Sequence, residues 1–280
     1  MTVSTSEEGP VSSAQSFTVV VSGKPSISSL STNLAATGEE VTISGSGFDP
    51  STSGNVVRLN GAAALVTSAT SSAIKFKVPT DRLGGRVSIS TPNGSATGPD
   101  LFVPPNNAAT STVSETERLQ AGEAKTATII SPETDGLLLF DGEAGQQVSV
   151  VPSAANFSGS FEVFRPSGSA LSGMGGNLNS IHGPVTLPET GTYTVQLEGS
   201  ATETGSVDLT AYTFSDITES ITPTAEGLQR SPTITTPGQA ANYFVTADAG
   251  DVVTVKSANA NFTGEYCLRW LTAAGATFPA

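Results

Sequence analysis

A chain of 280 residues with one histidine and one cysteine has little from which to build a catalytic centre. His182, in "NSIHGP", has no second histidine to complete a zinc site, and Cys267 belongs to another domain, so neither a triad nor a zinc site is completed around it in the usual way and it is expected to be a loop histidine. Cys267, in "GEYCLRW", cannot form a disulfide within the chain. Nothing nearby would activate it, which leaves a solvent-facing or sheet-edge thiol. Tyr266 and Trp270 flank that cysteine on the opposite face of the strand, where aromatic rings could stack on a sugar or fill a core. Carboxylates gather at two turns, Asp141 and Glu143 in "DGE" and Asp248 and Asp251 in "DAGD", without the spacing of an EF-hand calcium loop. The glycines of "GMGGN" (173–177) are expected in a loop, since no strand-to-helix phosphate motif surrounds them. The expectation is a chain with no catalytic, cofactor or metal site.

The elements that carry these residues are strands. Only 13% of the residues are charged and 6% aromatic, while Gly (29) and Pro (17) are abundant. This suits many short strands joined by tight turns, an all-β chain. The net charge of −13 would repel a phosphate backbone, so nucleic acid is excluded as a partner. No apolar run reaches about 18 residues, so membrane insertion by a helix is not expected. The opening "MTVSTSEEGPVSS" has neither a basic start nor an apolar stretch, so no export signal is read there.

Residues 24–105 read as one unit. Val41 and Ile43 alternate with Thr42 and Ser44, and "GSGF" (45–48) allows a bulged backbone that turns Phe48 inward. "NVVRLNG" ends in Asn60-Gly61, a strong two-residue hairpin signal. "AIKFKVP" (73–79) and "GRVSIST" (85–91) alternate again before the turn at Pro92-Asn93-Gly94. Pro25/Ile27, the run Gly38 to Phe48, Val57/Leu59/Gly61, Val78-Pro79 and Val87 to Gly94 resemble the pattern of the IPT/TIG domain, the immunoglobulin-like fold of plexins and transcription factors. Thr32 departs from it, where that family usually has proline. The resemblance implies a fold and is nearly silent on function. Residues 1–22 resemble the closing hairpin of a preceding domain of the same kind, with Val3 laid on Val87 and Phe17 on Phe102. Residues 106–116, "NNAATSTVSET", read as a linker.

The second half repeats at an offset of 105 residues: 130–159 falls without gaps on 235–264, with Pro132 over Pro237, Ala144-Gly145 over Ala249-Gly250, and Asn156-Phe157 over Asn261-Phe262. The first copy is expected over 117–215 and a second, truncated copy over 217–280. Within the first copy, "LPETG" (187–191) spells a bacterial wall-sorting signal, but 89 residues follow Gly191, beginning with the alternating "TYTVQLEG". It is expected to be a turn entering a strand, with Tyr193 and Val195 on one face and Thr194 and Gln196 on the other. Ala144 to Val148, Pro166-Ser167-Gly168, Leu187 to Tyr193 and Gly205 to Val207 resemble the jelly-roll-like sandwiches of bacterial pre-peptidase C-terminal domains and Rhs-associated repeats.

The expected whole is a run of tandem β-sandwiches from a long, modular bacterial protein, placed outside the cell or at its surface. The expected role is that of a non-catalytic spacer or adhesive stalk. Its partners would be neighbouring domains of the same parent chain and a cell-surface glycan or protein. A carbohydrate-binding accessory module of a secreted enzyme is the alternative. A DNA-binding role by analogy with transcription factors conflicts with the acidity.

Overall fold

The computed structural model describes residues 23–248 and 250–256. Residues 1–22 and Cys267, Tyr266 and Trp270 lie outside them. The first module contains β1 (Ser26–Leu30), β2 (Glu40–Ser46), β3 (Val56–Leu59), β4 (Ala62–Ala69), β5 (Ala73–Lys77), β6 (Gly85–Thr91) and β7 (Gly94–Leu101). They form one sheet in the order β1-β2-β5-β4-β3-β6-β7 that folds over through β4. The first residues of β4 pair with β3, and those from Leu65 on pair with β5, with a register shift between Val66 and Ser68. The two ends of the sheet meet, since a side-chain carbon at Gly98 of β7 would lie 2.7 Å from Ile27 of β1. The alternating residues fill the core as expected: Val41, Ile43, Phe48, Val57, Leu59, Ile74, Phe76, Val87 and Ile89 are all fully buried. The β3–β4 hairpin turns at Asn60 (φ 47°) and Gly61 (φ 83°), the pair of left-handed residues that a type I′ turn requires.

The stretch 106–116, expected to be a linker, is more ordered than that. After 3-10 turns at Pro105–Asn107 and Thr110–Thr112 it enters β8 (Val113–Arg118), because a neighbouring strand offers it a full ladder. The sandwich that follows adds β9 (Lys125–Ile129), β10 (Asp135–Gly142), β11 (Gln147–Ser153), β12 (Gly159–Phe164), β13 (Ala170–Asn177), β14 (His182–Thr186), β15 (Gly191–Gly199) and β16 (Gly205–Phe214). One sheet has the order β13-β12-β15-β10-β8, with β8 parallel to β10, and the other β14-β11-β16-β9. Leu138, Phe140, Val148, Val150, Phe161, Val163, Tyr193, Val195, Leu197, Val207 and Leu209 form the core between them. "GMGGN" is a correction: it lies in edge strand β13, not in a loop. Glycine lets that strand press against β12, where a side-chain carbon at Gly175 would sit 2.7 Å from the Phe161 carbonyl oxygen.

"LPETG" is a turn into β15. The Tyr193 hydroxyl donates to the Glu189 carbonyl (2.7 Å) and receives the Glu189 N–H (3.2 Å), tying the strand to the turn ahead of it. Leu187 and Tyr193 are both buried, and Tyr193 stacks on Phe140 at 5.3 Å.

The chain divides into two compact units. One contains both modules up to Ile217 together with Thr233–Ala240, and the other contains Thr218–Pro232 and the residues from Ala241 onward. Strands β17 (Ile217–Ile221) and β18 (Ala241–Val245) pair as a two-stranded sheet. At its ends Ile217 N–H donates to Ala240 and Thr246 N–H to Ile221, so the strands run in the same direction, as β8 and β10 do. The repeat also shows in the backbone. Left-handed residues recur 105 positions apart at Gly122 and Gly227 (φ 77° and 85°), Glu133 and Gly238 (58° and 89°), and Gly145 and Gly250 (89° and 101°).

Candidate functional site

The residues singled out by their chemistry do not converge. His182 opens strand β14 rather than lying in a loop. Its ring meets Phe161 edge-on (4.8 Å), and its Nε2 lies 2.8 Å from the Asn177 carbonyl oxygen, a structural set of contacts. Asn156, in one of the sequence's Asn-Phe-Ser/Thr repeats, accepts the Ser206 N–H at 2.7 Å and closes the β11–β12 connection onto β16. Glu143 donates its backbone N–H to Gln146 in the turn after β10. Asp141 points to the Arg118 guanidinium and accepts the Thr192 hydroxyl (2.8 Å). No group of three or more potential metal ligands occurs among the described residues.

What the fold does bring together is a junction between the two modules, built by residues that the sequence reading assigned only to local turns. Strand β12 leaves the sheet beyond Phe164, so its neighbour β15 loses a partner at Thr192. The side-chain amide of Asn60, at the tip of the β3–β4 hairpin, takes that place. Thr192 N–H donates to Asn60 Oδ1 (2.9 Å), while Asn60 Nδ2 donates to the carbonyls of Thr192 (2.8 Å) and Gly84 (3.0 Å). The close approach needs glycine on both sides. A side-chain carbon at Gly85 would lie 3.1 Å from Thr192 Oγ1, and one at Gly191, the last residue of "LPETG", 3.0 Å from Asn60 Oδ1.

From Thr192 the polar contacts continue across the joint. Thr192 holds Asp141, Asp141 holds Arg118 of β8, and Arg118 donates to Asp100 of β7 at 2.7 Å. The Arg118 and Asp100 side chains are only 14% and 16% exposed, so removing either would strand a charge in a dry place. Burial alone would raise the Asp141 pKa, but the hydrogen bonds from Arg118 and Thr192 and the charges of Arg118 and Arg86 outweigh it and hold the carboxyl below its usual range. Asp135, by contrast, is pushed up by burial despite the Gln196 amide bonded to it. Leu83 N–H donates to the Pro166 carbonyl (3.0 Å), and Asn33 donates to Thr116 (3.0 Å), adding two further ties.

An apolar patch lies beside this network. Phe102 of the first module packs with Leu137 and Leu139 of β10, and Phe164 of β12 joins the first module's core. Strand β10 is therefore buried on both faces, with Leu138 and Phe140 inward and Leu137 and Leu139 under the first module. The polar face of β15 is covered too: Thr192, Thr194 and Gln196 are 5%, 0% and 8% exposed. The Thr194 hydroxyl has no hydrogen-bond partner.

Two hollows flank these contacts. One, of about 140 Å³, is lined by Arg118, Leu119, Phe140 and Asp141, and another, of about 160 Å³, by Arg82, Leu83, Asn106 and Ser167 among others. Both are smaller than the roughly 300 Å³ at which small-molecule pockets begin. Within the described part of the first unit no large aromatic side chain stands exposed. Part of the other sheet's outer face is covered, by residues 233–240, whose Pro237 carbonyl accepts the buried Ser149 hydroxyl (2.7 Å). This arrangement can join modules; it holds no nucleophile, base or acid placed for chemistry. No helix among the described residues is long and apolar enough to cross a membrane.

No curated protein matches the sequence. Among solved structures, the chain is similar to the pre-peptidase C-terminal domain of a Bacillus anthracis collagenase (13% identity, 34% of this chain and 93% of that one, TM-score 0.28). It is also similar to an auxiliary nutrient binding protein from Bacteroides thetaiotaomicron (17% identity, 38% and 22%, TM-score 0.28). A third likeness is to the gamma-CGTase of alkalophilic Bacillus clarkii (16% identity, 81% and 28%, TM-score 0.28). Three of the solved structures it matches are much longer proteins, of which it spans 19%, 22% and 23%. The model of the IPT/TIG domain matches residues 25–110. The chain thus carries an IPT/TIG domain over residues 25–110, followed by a two-sheet β-sandwich.

Proposed function

We propose that this chain is a non-catalytic segment of a large modular extracellular bacterial protein, in which it serves as a rigid spacer or adhesive stalk. The observation that carries the reading is the junction. An unbroken line of polar contacts, Asp100–Arg118–Asp141–Thr192–Asn60–Gly84, runs beside the Phe102–Leu137–Leu139 patch and couples the IPT/TIG domain to the sheet behind it. A tether that only needed to be flexible would have no use for a buried ion pair and a side-chain amide filling a strand's ladder position. The alternative, a carbohydrate-binding accessory module, needs an aromatic row or platform, and within the described part of the first unit no large aromatic side chain stands exposed.

The test is a glycan-array and whole-cell binding screen of the full chain, run beside assays for hydrolase and transferase activity. The spacer reading expects no activity and no binding that a single surface patch controls. Specific glycan binding lost on mutating one patch would replace it with the accessory-module reading.

A further inference from the structure

The turn that precedes β10 in the first repeat and β18 in the second has a left-handed residue at its third position in both, Glu133 and Gly238, but different uses. In the first copy it is Ser131-Pro132-Glu133-Thr134, and the Thr134 hydroxyl closes it by donating to the Ser131 carbonyl (2.6 Å), with the Ser114 hydroxyl oxygen 3.0 Å away. In the second it is Thr236-Pro237-Gly238-Gln239, and it lies against the outer face of the four-stranded sheet of the first copy. Ser149 donates to Pro237 at 2.7 Å. Gly238 sits among three residues of that face: a side-chain carbon there would lie 3.5 Å from Phe214 and from Ser149, and 3.6 Å from Pro184. Gln239 donates to the Ser215 carbonyl (3.0 Å), and Ala240 N–H to Asp216 (2.9 Å). Beneath this segment Ser149 is fully buried and Phe214 is 8% exposed.

We propose that Ser149, Pro184 and Phe214 form a socket for the Pro-Gly turn of the repeat that follows, and that the residue at the turn's left-handed position decides whether a repeat docks by it. Glycine takes the left-handed turn without strain, whereas any side chain there would start in contact with all three socket residues before leaving toward solvent. Glutamate holds the equivalent position at φ 58° in the first copy, whose turn enters no such socket. The first copy follows an IPT/TIG domain and is joined to it through its other sheet, so its own turn has no socket to enter. The inference rests on the repeat relation and the packing of residues 233–240, and it stands whether or not the spacer reading does.

The test uses the full 280-residue chain, with Gly238→Glu, Gly238→Ala and Ser149→Ala compared by amide hydrogen exchange. Gly238→Ala carries the backbone strain of a left-handed residue but still fits, so it serves as the control for strain. Gly238→Glu is expected to speed exchange at Ile217 and Ala240 by at least about tenfold, with Val148, Val150 and Leu209 in the core unchanged. Gly238→Ala and Ser149→Ala should lie between that variant and the parent. A peptide of residues 233–240, added to the Gly238→Glu chain, should then shift the resonances of Ser149 and Phe214, and the same peptide with glutamate for glycine should not. Wild-type protection in Gly238→Glu would overturn the proposal, and so would equal binding of the two peptides. If Gly238→Glu disturbs the core amides, Ser149→Ala decides: unchanged exchange at Ile217 and Ala240 would count against the socket.

Discussion

Asn60 is the residue on which the junction turns, and replacing it separates the contribution of its side chain from that of the hairpin it sits in. Asn60→Gly keeps the left-handed backbone but removes three hydrogen bonds, leaving the Thr192 N–H and the carbonyls of Thr192 and Gly84 to find other partners. Thr192 is 5% exposed, so water replaces the lost amide poorly. With about 1–3 kcal/mol for each buried group left unsatisfied, and partial relief by water entering the space vacated, the expected loss is about 2–4 kcal/mol. Asn60→Ala should cost about 1 kcal/mol more, because a residue with a Cβ is strained in the left-handed region. Asn60→Asp keeps the acceptor for Thr192 N–H but turns a second acceptor toward two carbonyls. That carboxyl would be pushed up in the folded state, so the variant should gain stability as pH falls and lose it as pH rises through the folded pKa. Urea unfolding followed by circular dichroism gives the free energies, and amide exchange at Leu83 and Thr192 reports the joint itself. If Asn60→Gly stays within about 0.5 kcal/mol of the parent and both amides keep their protection, the argument from Asn60 is wrong.

Three other substitutions probe neighbouring contacts. Thr194→Val replaces a buried, unpartnered hydroxyl with a methyl of the same shape and should stabilise the chain by about 1 kcal/mol in the same unfolding assay. Tyr193→Phe removes the bond to the Glu189 carbonyl at the end of "LPETG" and should cost about 1–2 kcal/mol, seen as a lower melting temperature. Asp141, whose pKa is lowered in the folded state, contributes stability that is present above the ordinary aspartate pKa of about 3.9 and is lost as pH falls through its folded value. The melting temperature of the parent should therefore exceed that of Asp141→Asn at neutral pH, by a small margin because the side chain is 62% exposed, and the margin should vanish in acid.

Much of the fold was legible in the sequence because the strands obey a period of two. Ile74, Phe76 and Val78 face inward between Lys75 and Lys77, and Asn60-Gly61 makes the hairpin it spells. The left-handed backbone positions repeat 105 residues apart as the aligned sequences do. The joint was harder to read. The alternation of "TYTVQLEG" gave the directions of Tyr193 and Thr194 correctly, but the polarity of a face does not reveal that another module covers it. One signal was available and was not used: "GLLLF" (136–140) is apolar without alternation, the mark of a strand buried on both faces. "GMGGN" was misread because glycine marks close approach on an edge strand as readily as it marks a loop. Asn60 carried no signal beyond its turn, since its partner Thr192 lies 132 residues away.

The central claim, that the IPT/TIG domain and the first repeat move as one body, is tested most directly by residual dipolar couplings measured on the full chain. The account predicts that one alignment tensor fits the amides of residues 26–101 and of residues 113–214 together. Two tensors of different magnitude or orientation would mean that the modules reorient independently, and the rigid-spacer reading would fail.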